Sequence, residues 1–137
     1  MTDQNTNEPV VEDLVVEETP IVVVLSDARG KTAADVVEAA AAQFEEGLVI
    51  IRKIGNVRSA DMVREYLDKH DDGWARLAVF HTIVDNNLRH EIRNELDSRG
   101  IPSIDLLGPS MRIISTLTGA EPISQAGRRT KVQIEEI

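Results

Sequence analysis

Short apolar runs alternate with helical patterns along this chain, and this alternation constrains the fold more than any other feature. The first run, IVVVL at 21–25, is continuous and β-branched, as in strands buried on both faces of a parallel sheet. Apolar runs at 48–51 and 77–80 predict a second and a third strand, and 104–107 predicts a fourth, shorter one; each is followed by a helical pattern. Such an order favours right-handed crossovers between parallel strands. We therefore predict an α/β fold with a four-stranded parallel sheet in the order 2-1-3-4 and helices on both faces, Rossmann-like or flavodoxin-like.

Capping and terminating residues delimit the first two helices. Thr32 and Asp35 resemble a capping box with Asp in the place of Glu or Gln, so the first helix is expected to begin there. Its many alanines favour a helix that continues to about Glu46 and ends at Gly47. The second helix is indicated by an apolar stripe of Met62, Val63, Tyr66 and Leu67.

The last two helices have clearer signals at their ends. Asp85 is predicted to cap the third helix. Gly108 and Pro109 begin the fourth helix, with proline in the first turn, and Gly119 ends it. The predicted inner faces are Leu88, Ile92 and Leu96 in the third helix and Met111, Ile114 and Leu117 in the fourth. Trp74 and Phe80 are expected in the core.

Negative charge is concentrated at the N-terminus. The 137 residues carry a formal net charge of −9, and the first 20 contain six acidic residues and no lysine or arginine. Such a polar, acidic stretch without aromatic residues is typical of disorder. We predict a disordered acidic tail over 1–19, an α/β domain over 20–119, and a linker or the start of a further domain over 120–137.

Composition excludes several classes of function. The chain has no cysteine, which rules out disulfides, thiolate nucleophiles and cysteine-ligated zinc. Its net charge argues against nucleic acid or an anionic membrane as a partner. No apolar run approaches the roughly 20 residues of a membrane span, and the N-terminus lacks the features of a secretory signal. We therefore expect a soluble, cytoplasmic protein.

Ligands of open α/β sheets bind beyond the carboxyl ends of the strands. The loop SDARGKT at 26–32 follows the first strand there, and its glycine precedes a helix N-terminus whose N–H groups attract anions. Arg29 and Lys31 add positive charge, and Ser26 and Thr32 add hydroxyls. The loop is therefore either a phosphate cradle or a tight turn whose Thr32 caps the helix. It is not a standard P-loop, since that motif needs a glycine where Leu25 stands.

Other polar residues at this edge have structural as well as functional interpretations. Asp27 is either a turn residue or a group that orients a hydroxyl or Mg²⁺. His81 could serve acid/base chemistry, but no triad is evident and a structural histidine is favoured. No metal-ligand pattern is present. The candidates for the edge of a ligand cleft are Thr82, Asp85, Asp105, Gly108 and Pro109.

Several short motifs occur along the chain from about 21 to 127. They are Ser26, Asp27, Gly30, Thr32 and Ala33, then Gln43-Phe44, Thr82-Ile83-Val84, Ile101-Pro102 and the run Asp105-Leu106-Leu107-Gly108-Pro109. Together, and in this order, they resemble the regulatory proteins of pyruvate, phosphate dikinase and phosphoenolpyruvate synthetase.

The resemblance implies a bifunctional regulator. Such proteins inactivate the dikinase or synthetase by ADP-dependent Ser/Thr phosphorylation, and they reverse it with phosphate, releasing pyrophosphate. ADP and phosphate would be substrates, and no covalently bound cofactor is expected. Catalysis of this kind consists mainly of positioning and charge stabilisation. The expected partners are the dikinase or synthetase, a missing C-terminal P-loop domain and, as a further expectation, a second copy of the chain.

This sequence departs from the family pattern in ways that affect catalysis. The family's G-x-S-R-T-x-K-T segment, which binds the nucleotide, does not occur here, so no catalytic residue is assigned. A family stretch with proline and histidine is replaced by QAGRRT at 125–130, and the first loop is more basic than expected. These departures predict an isolated N-terminal domain that is inactive alone and serves target recognition, assembly and part of a phosphate cleft.

Two alternatives follow from the same residues. A stand-alone phosphate- or nucleotide-binding module would explain the basic loop at 26–32. A receiver-like signalling domain would share the fold, but it needs a phosphoacceptor aspartate at the end of the third strand, where His81 and Thr82 stand.

Overall fold

The computed structural model describes residues 19–70 and 76–137, which form alternating strands and helices. In chain order these are β1 (Ile21–Ser26), α1 (Lys31–Ala41), β2 (Ile50–Ile54), α2 (Ala60–His70), β3 (Leu77–Thr82), α3 (Asn86–Ser98), β4 (Ser103–Asp105) and α4 (Gly108–Thr118). All strand pairs are parallel, and the order across the sheet is β2-β1-β3-β4. The predicted fold class and the strand order 2-1-3-4 are therefore confirmed.

The central strand β1 is buried on both sides because its side chains alternate between two apolar layers. Val23 packs with residues of α2 and α3 in the larger cluster, which includes Leu67 and Ile92. Val24 packs with Val37 of α1 in the smaller one. A strand of aliphatic residues alone satisfies both layers, which explains the continuous run at 21–25.

The first helix and the second strand differ from their predicted bounds. α1 ends at Ala41, well before Glu46, because Gln43 and Phe44 donate to carbonyls three residues back and tighten the chain into a turn. The predicted strand at 48–51 is displaced to 50–54. Ile50, the first residue of β2, pairs with Ile21 of β1, whereas Leu48 precedes the strand and is half exposed. A run of four apolar residues predicts that a strand is present more reliably than it predicts where the strand begins and ends.

The third helix follows its prediction, whereas the fourth does so only at its ends. Asp85 caps α3 by accepting from the Leu88 N–H at 2.8 Å, and Ile92 and Leu96 are fully buried. In α4, Pro109 stands in the first turn, and Gly119 adopts the left-handed conformation at the C-terminus. The predicted inner stripe of α4 is wrong: Ile114 is 59% and Leu117 83% exposed. Periodicity marks an apolar face but does not say what covers it.

Some predictions fall outside this description. The predicted disordered tail lies almost wholly in 1–18, and Trp74 also lies outside the described residues. Phe80 is partly buried against the α1 cluster. The described strands and helices occupy 21–118, and the division into tail, domain and linker stays a prediction. Among the described helices, none has the length and apolarity to cross a membrane.

Candidate functional site

A cleft of about 890 Å³ lies at the carboxyl ends of β1 and β3. Its walls are the β1–α1 loop, one side of α4 and the C-terminal segment, which we define as residues 120–130. All six binding candidates of the first loop line it, together with one of the predicted edge residues: Ser26, Asp27, Arg29, Gly30, Lys31, Thr32 and Thr82. The structure thus brings the loop candidates together around one space.

Two buried hydroxyl residues form the polar floor of the cleft. Ser26 and Thr82 are register partners at the ends of β1 and β3, and they are only 3% and 8% exposed. Ser26 Oγ accepts from the Ala28 N–H at 2.9 Å, which stabilises the turn after β1. Among the described residues, no hydrogen bond of the Thr82 hydroxyl is found. Thr82 lines the cleft, so its hydroxyl is available to a ligand bound there.

Asp27 ties three loops together. Its carboxylate accepts from the Val84 N–H at 2.8 Å, and its carbonyl accepts from Arg58 Nη1 at 2.8 Å. These bonds connect the β1–α1 loop to the β3–α3 and β2–α2 loops. These bonds support the structural interpretation of Asp27. Among the described residues, no group of three or more His, Cys, Asp or Glu side chains that could hold a metal ion is found.

The N-terminus of α1 opens without a capping side chain. Gly30 is its N-cap residue, in the left-handed conformation at φ 86°, and the first turn contains no acidic residue. The exposed Thr32 does not cap the helix, so the predicted capping box is wrong. A Cβ at Gly30 would lie 3.0 Å from the Lys53 side chain. The N–H groups of the first turn are therefore left for another acceptor, and the helix dipole favours an anion.

Cationic side chains surround this helix end. Lys31 pairs with Asp35 at 2.9 Å on the exposed side of α1, and this hydrogen bond raises the pKa of the lysine. Arg29 is exposed in the loop, and Arg128 and Arg129 line the cleft from the C-terminal segment. The cleft thus combines a helix N-terminus, hydroxyls and positive charge in a chain whose net charge is −9.

Four of the predicted edge residues do not line the cleft. Asp85 caps α3, and Asp105 Oδ1 accepts from the Leu107 and Gly108 N–H groups at 3.0 and 2.8 Å, which fixes the start of α4. A Cβ at Gly108 would overlap the Asp105 carboxylate, so glycine is required there. Pro109 starts the helix. Asp85, Asp105, Gly108 and Pro109 therefore position elements of the fold.

His81 lies away from the cleft. It is 1% exposed, and it lies two residues after Val79 on the same face of β3, which places its ring on the α2/α3 side of the sheet. Its Nδ1 has no hydrogen-bond partner. Burial lowers the pKa of His81; the charge of Asp105 opposes this effect, and those of Arg89 and Arg93 add to it. This environment fits a neutral, structural histidine.

A family model described as Kinase/pyrophosphorylase matches residues 22–136. The chain belongs to the kinase/pyrophosphorylase family. Relatives named as pyruvate, phosphate dikinase regulatory proteins are found in Carboxydothermus hydrogenoformans, 31% identical over 84% of this chain, and Syntrophomonas wolfei, 30% identical over 82%. Another in Listeria monocytogenes is 33% identical over 80%. The chain spans about two fifths of the length of these curated relatives, 41%, 41% and 39%.

Two arginines that do not line the cleft hold loops next to it and were not predicted as site residues. Arg58 donates to the Asp27 carbonyl at 2.8 Å. Arg89 donates to the Ile83 carbonyl at 2.9 Å and pairs with Asp105 at 3.4 Å. The C-terminal segment had no predicted place in the fold. The sequence feature that could have indicated its role is the QAGRRT stretch at 125–130, which contains two arginines and departs from the family pattern.

Proposed function

We propose that this chain acts in regulating pyruvate, phosphate dikinase or phosphoenolpyruvate synthetase by recognising the enzyme and binding a phosphate-bearing ligand in its cleft. Membership of the kinase/pyrophosphorylase family and the names of its relatives support the target class. The observation that best supports a phosphate-bearing ligand is the uncapped N-terminus of α1, which opens into a cleft whose floor is formed by Ser26 and Thr82.

The proposed role of the chain is to bind phosphate, not to transfer a phosphoryl group. The family resembled here couples an ADP-dependent Ser/Thr kinase to a phosphate-dependent, pyrophosphate-forming reversal. In this chain the cleft offers backbone N–H groups, hydroxyls and guanidinium groups, which position and neutralise phosphate. It contains no G-x-S-R-T-x-K-T segment. We therefore propose that the chain contributes a phosphate cleft and target recognition, acts in the cytoplasm, and does not transfer phosphate alone.

The test combines a ligand titration with a target assay. The ¹⁵N-labelled chain is titrated with ADP, phosphate and pyrophosphate while amide shifts are followed. Saturable shifts at 26–32 and 82–85 are expected, and Lys31→Ala should weaken them, whereas Lys69→Ala on the exposed end of α2 should not. Binding to purified dikinase and synthetase is measured in parallel, with phosphate transfer from ADP as a further readout. Absence of shifts at millimolar ligand, or of binding to both enzymes, would refute the corresponding half of the proposal.

A stand-alone phosphate- or nucleotide-binding module is the second candidate. It is favoured by one observation: the C-terminal segment supplies a wall of the cleft, so residues between 26 and 130 line it on several sides. This function requires the same amide shifts at 26–32 and no affinity for either enzyme. The enzyme-binding assay therefore distinguishes the two candidates.

A further inference from the structure

His81 carries a buried nitrogen that has no hydrogen-bond partner. The residue is 1% exposed, and among the described residues no partner of its Nδ1 is found. An unpartnered buried polar atom costs stability. Its register partner on the neighbouring strand is Asp105, and the two side chains share one face of a sheet whose strands lie about 4.8 Å apart. A carboxylate therefore lies beside the imidazole ring.

Charged groups face His81 from two of the elements packed around it. Burial lowers the pKa of the imidazole most, Asp105 of β4 raises it, and Arg89 and Arg93 of α3 lower it. The other neighbours in this layer are apolar: Leu25, its register partner on β1, and the buried α2 residues Ala60, Val63 and Leu67. A proton on His81 would therefore be attracted by one carboxylate and repelled by two guanidinium groups.

Asp105 connects β4 to the start of α4, which forms one wall of the cleft. Its Oδ1 accepts from the Leu107 and Gly108 N–H groups at 3.0 and 2.8 Å. Its Oδ2 lies directly against Gly108, where a Cβ would overlap it. Because the carboxylate has no free space on that side, a movement of Asp105 would displace the first residue of α4. Met111 and Ile114 of the same helix line the cleft.

The contact between Arg89 and Asp105 can be exchanged for another partner. Arg89 Nε and Asp105 Oδ2 are 3.4 Å apart, whereas a charge-assisted hydrogen bond of good geometry is about 2.8 Å long. Arg89 also has acceptors in the β3–α3 region: its Nη1 donates to the Ile83 carbonyl at 2.9 Å, and its Nη2 donates to the Asn86 side chain. Asp105 can therefore leave Arg89 while the guanidinium keeps its other hydrogen bonds.

We propose that His81 and Asp105 form a proton-linked switch at the start of α4. When His81 is neutral, Asp105 pairs with Arg89 and accepts from the Leu107 and Gly108 N–H groups. When His81 takes up a proton from solvent, its imidazolium donates to Asp105 Oδ2, the pair with Arg89 opens, and the start of α4 shifts. The wall that α4 contributes to the cleft therefore moves below neutral pH, whichever ligand the cleft binds.

The test follows individual side chains by NMR in the full ¹⁵N-labelled chain between about pH 7.5 and 5. As the His81 imidazole titrates, the Arg89 Nε–H should lose about tenfold or more of its protection from solvent exchange, corrected for the intrinsic pH dependence of exchange. The Leu107 and Gly108 amide shifts should change with the same midpoint as the imidazole.

An internal control comes from a second ion pair of α3. Arg64 Nε donates to Glu95 at 2.8 Å, and hydrogen bonding to Arg99 lowers the pKa of Glu95 from 4.5. Glu95 therefore stays ionised over this pH range, and the protection of the Arg64 Nε–H should not change.

Two substitutions separate the switch from a general effect of pH. D105N keeps an oxygen for the α4 N–H groups but removes the charge, so the pKa of His81 should fall and the Leu107 and Gly108 shifts should no longer follow it. H90Q removes an exposed histidine of α3 and should leave every titration unchanged.

Three outcomes would overturn the switch. They are unchanged protection of Arg89 while His81 titrates, Leu107 and Gly108 shifts that keep the His81 midpoint in D105N, and a His81 that stays neutral until the chain unfolds. None of these measurements involves a ligand, so the switch is tested separately from the proposed function.

Discussion

The carboxylate of Asp27 and the backbone N–H of Val84 are 57 residues apart in sequence and form a 2.8 Å hydrogen bond. This bond fixes the β1–α1 loop, which forms one wall of the cleft, to the end of β3. Asp27 is only 6% exposed, so its carboxylate depends on this hydrogen bond more than on contact with water. The shape of the cleft therefore depends on a residue whose sequence position suggested a ligand.

Asp27→Ala should destabilise the fold substantially. It removes a buried charged acceptor and leaves the Val84 N–H without its partner, which costs about 1–3 kcal/mol. Urea denaturation gives the free energy of unfolding. Asp85→Ala is the matched control, because Asp85 also accepts a backbone N–H at 2.8 Å but is exposed, and loss of such a cap costs about 1 kcal/mol. An equal or smaller loss for Asp27→Ala would contradict the role assigned to this bond.

Gly30→Ala should destabilise more than Gly47→Ala. Both glycines have similar left-handed φ values, 86° and 82°, so the backbone strain of about 1 kcal/mol is common to both substitutions. Only at Gly30 would the new Cβ come within 3.0 Å of Lys53, whereas Gly47 has open space. Thermal unfolding of the two variants gives the difference. Equal melting temperatures would mean that the Lys53 side chain moves aside at no cost.

The sequence was sufficient to predict the sheet because an apolar run covers most of β1 and overlaps β2 and β3. The rule that ligands bind at the carboxyl ends of strands points to the loop at 26–32, and this loop lines the cleft. The apolar stripe of Ile114 and Leu117 led to a wrong prediction for the inner face of α4, because an apolar helix face does not show which element packs against it. The hydrogen bond from Arg58 to the Asp27 carbonyl, 31 residues away in sequence, could not be predicted either, because a contact made by one long side chain produces no periodic pattern in the sequence.

Stability should fall below neutral pH because of His81. Burial lowers its pKa in the folded state, so the unfolded chain, with a pKa near 6.5, binds the proton more readily. The loss of stability is absent well above pH 6.5. It appears as the pH falls below 6.5, and it stops increasing below the pKa that His81 has in the folded state. Asp105 moderates the effect, and Arg89 and Arg93 increase it.

Denaturation at about pH 7.5 and 5.5 measures this effect, with an expected loss on the order of 1 kcal/mol. His81→Leu is the comparison, since it fills the same buried site without a titrating group. The variant should lose most of the dependence between the two pH values. Glu95, whose pKa is lowered from 4.5 by its hydrogen bond to Arg99, titrates below this range. A pH dependence that is unchanged in His81→Leu would exclude His81 as its source.

Arg89→Met should be among the most damaging single substitutions, because this guanidinium connects β3, α3 and β4. It is 13% exposed, donates to the Ile83 carbonyl at 2.9 Å and pairs with Asp105 at 3.4 Å. Removing one partner of this partly buried pair leaves the other charge without its partner and costs about 1–3 kcal/mol. Arg93→Met on the exposed side of α3 is the control, expected within about 0.5 kcal/mol of wild type. The double variant Arg89→Met/Asp105→Asn should recover part of the loss, since it also removes the uncompensated charge. If the two single arginine variants unfold at the same urea concentration, Arg89 does not hold these elements together.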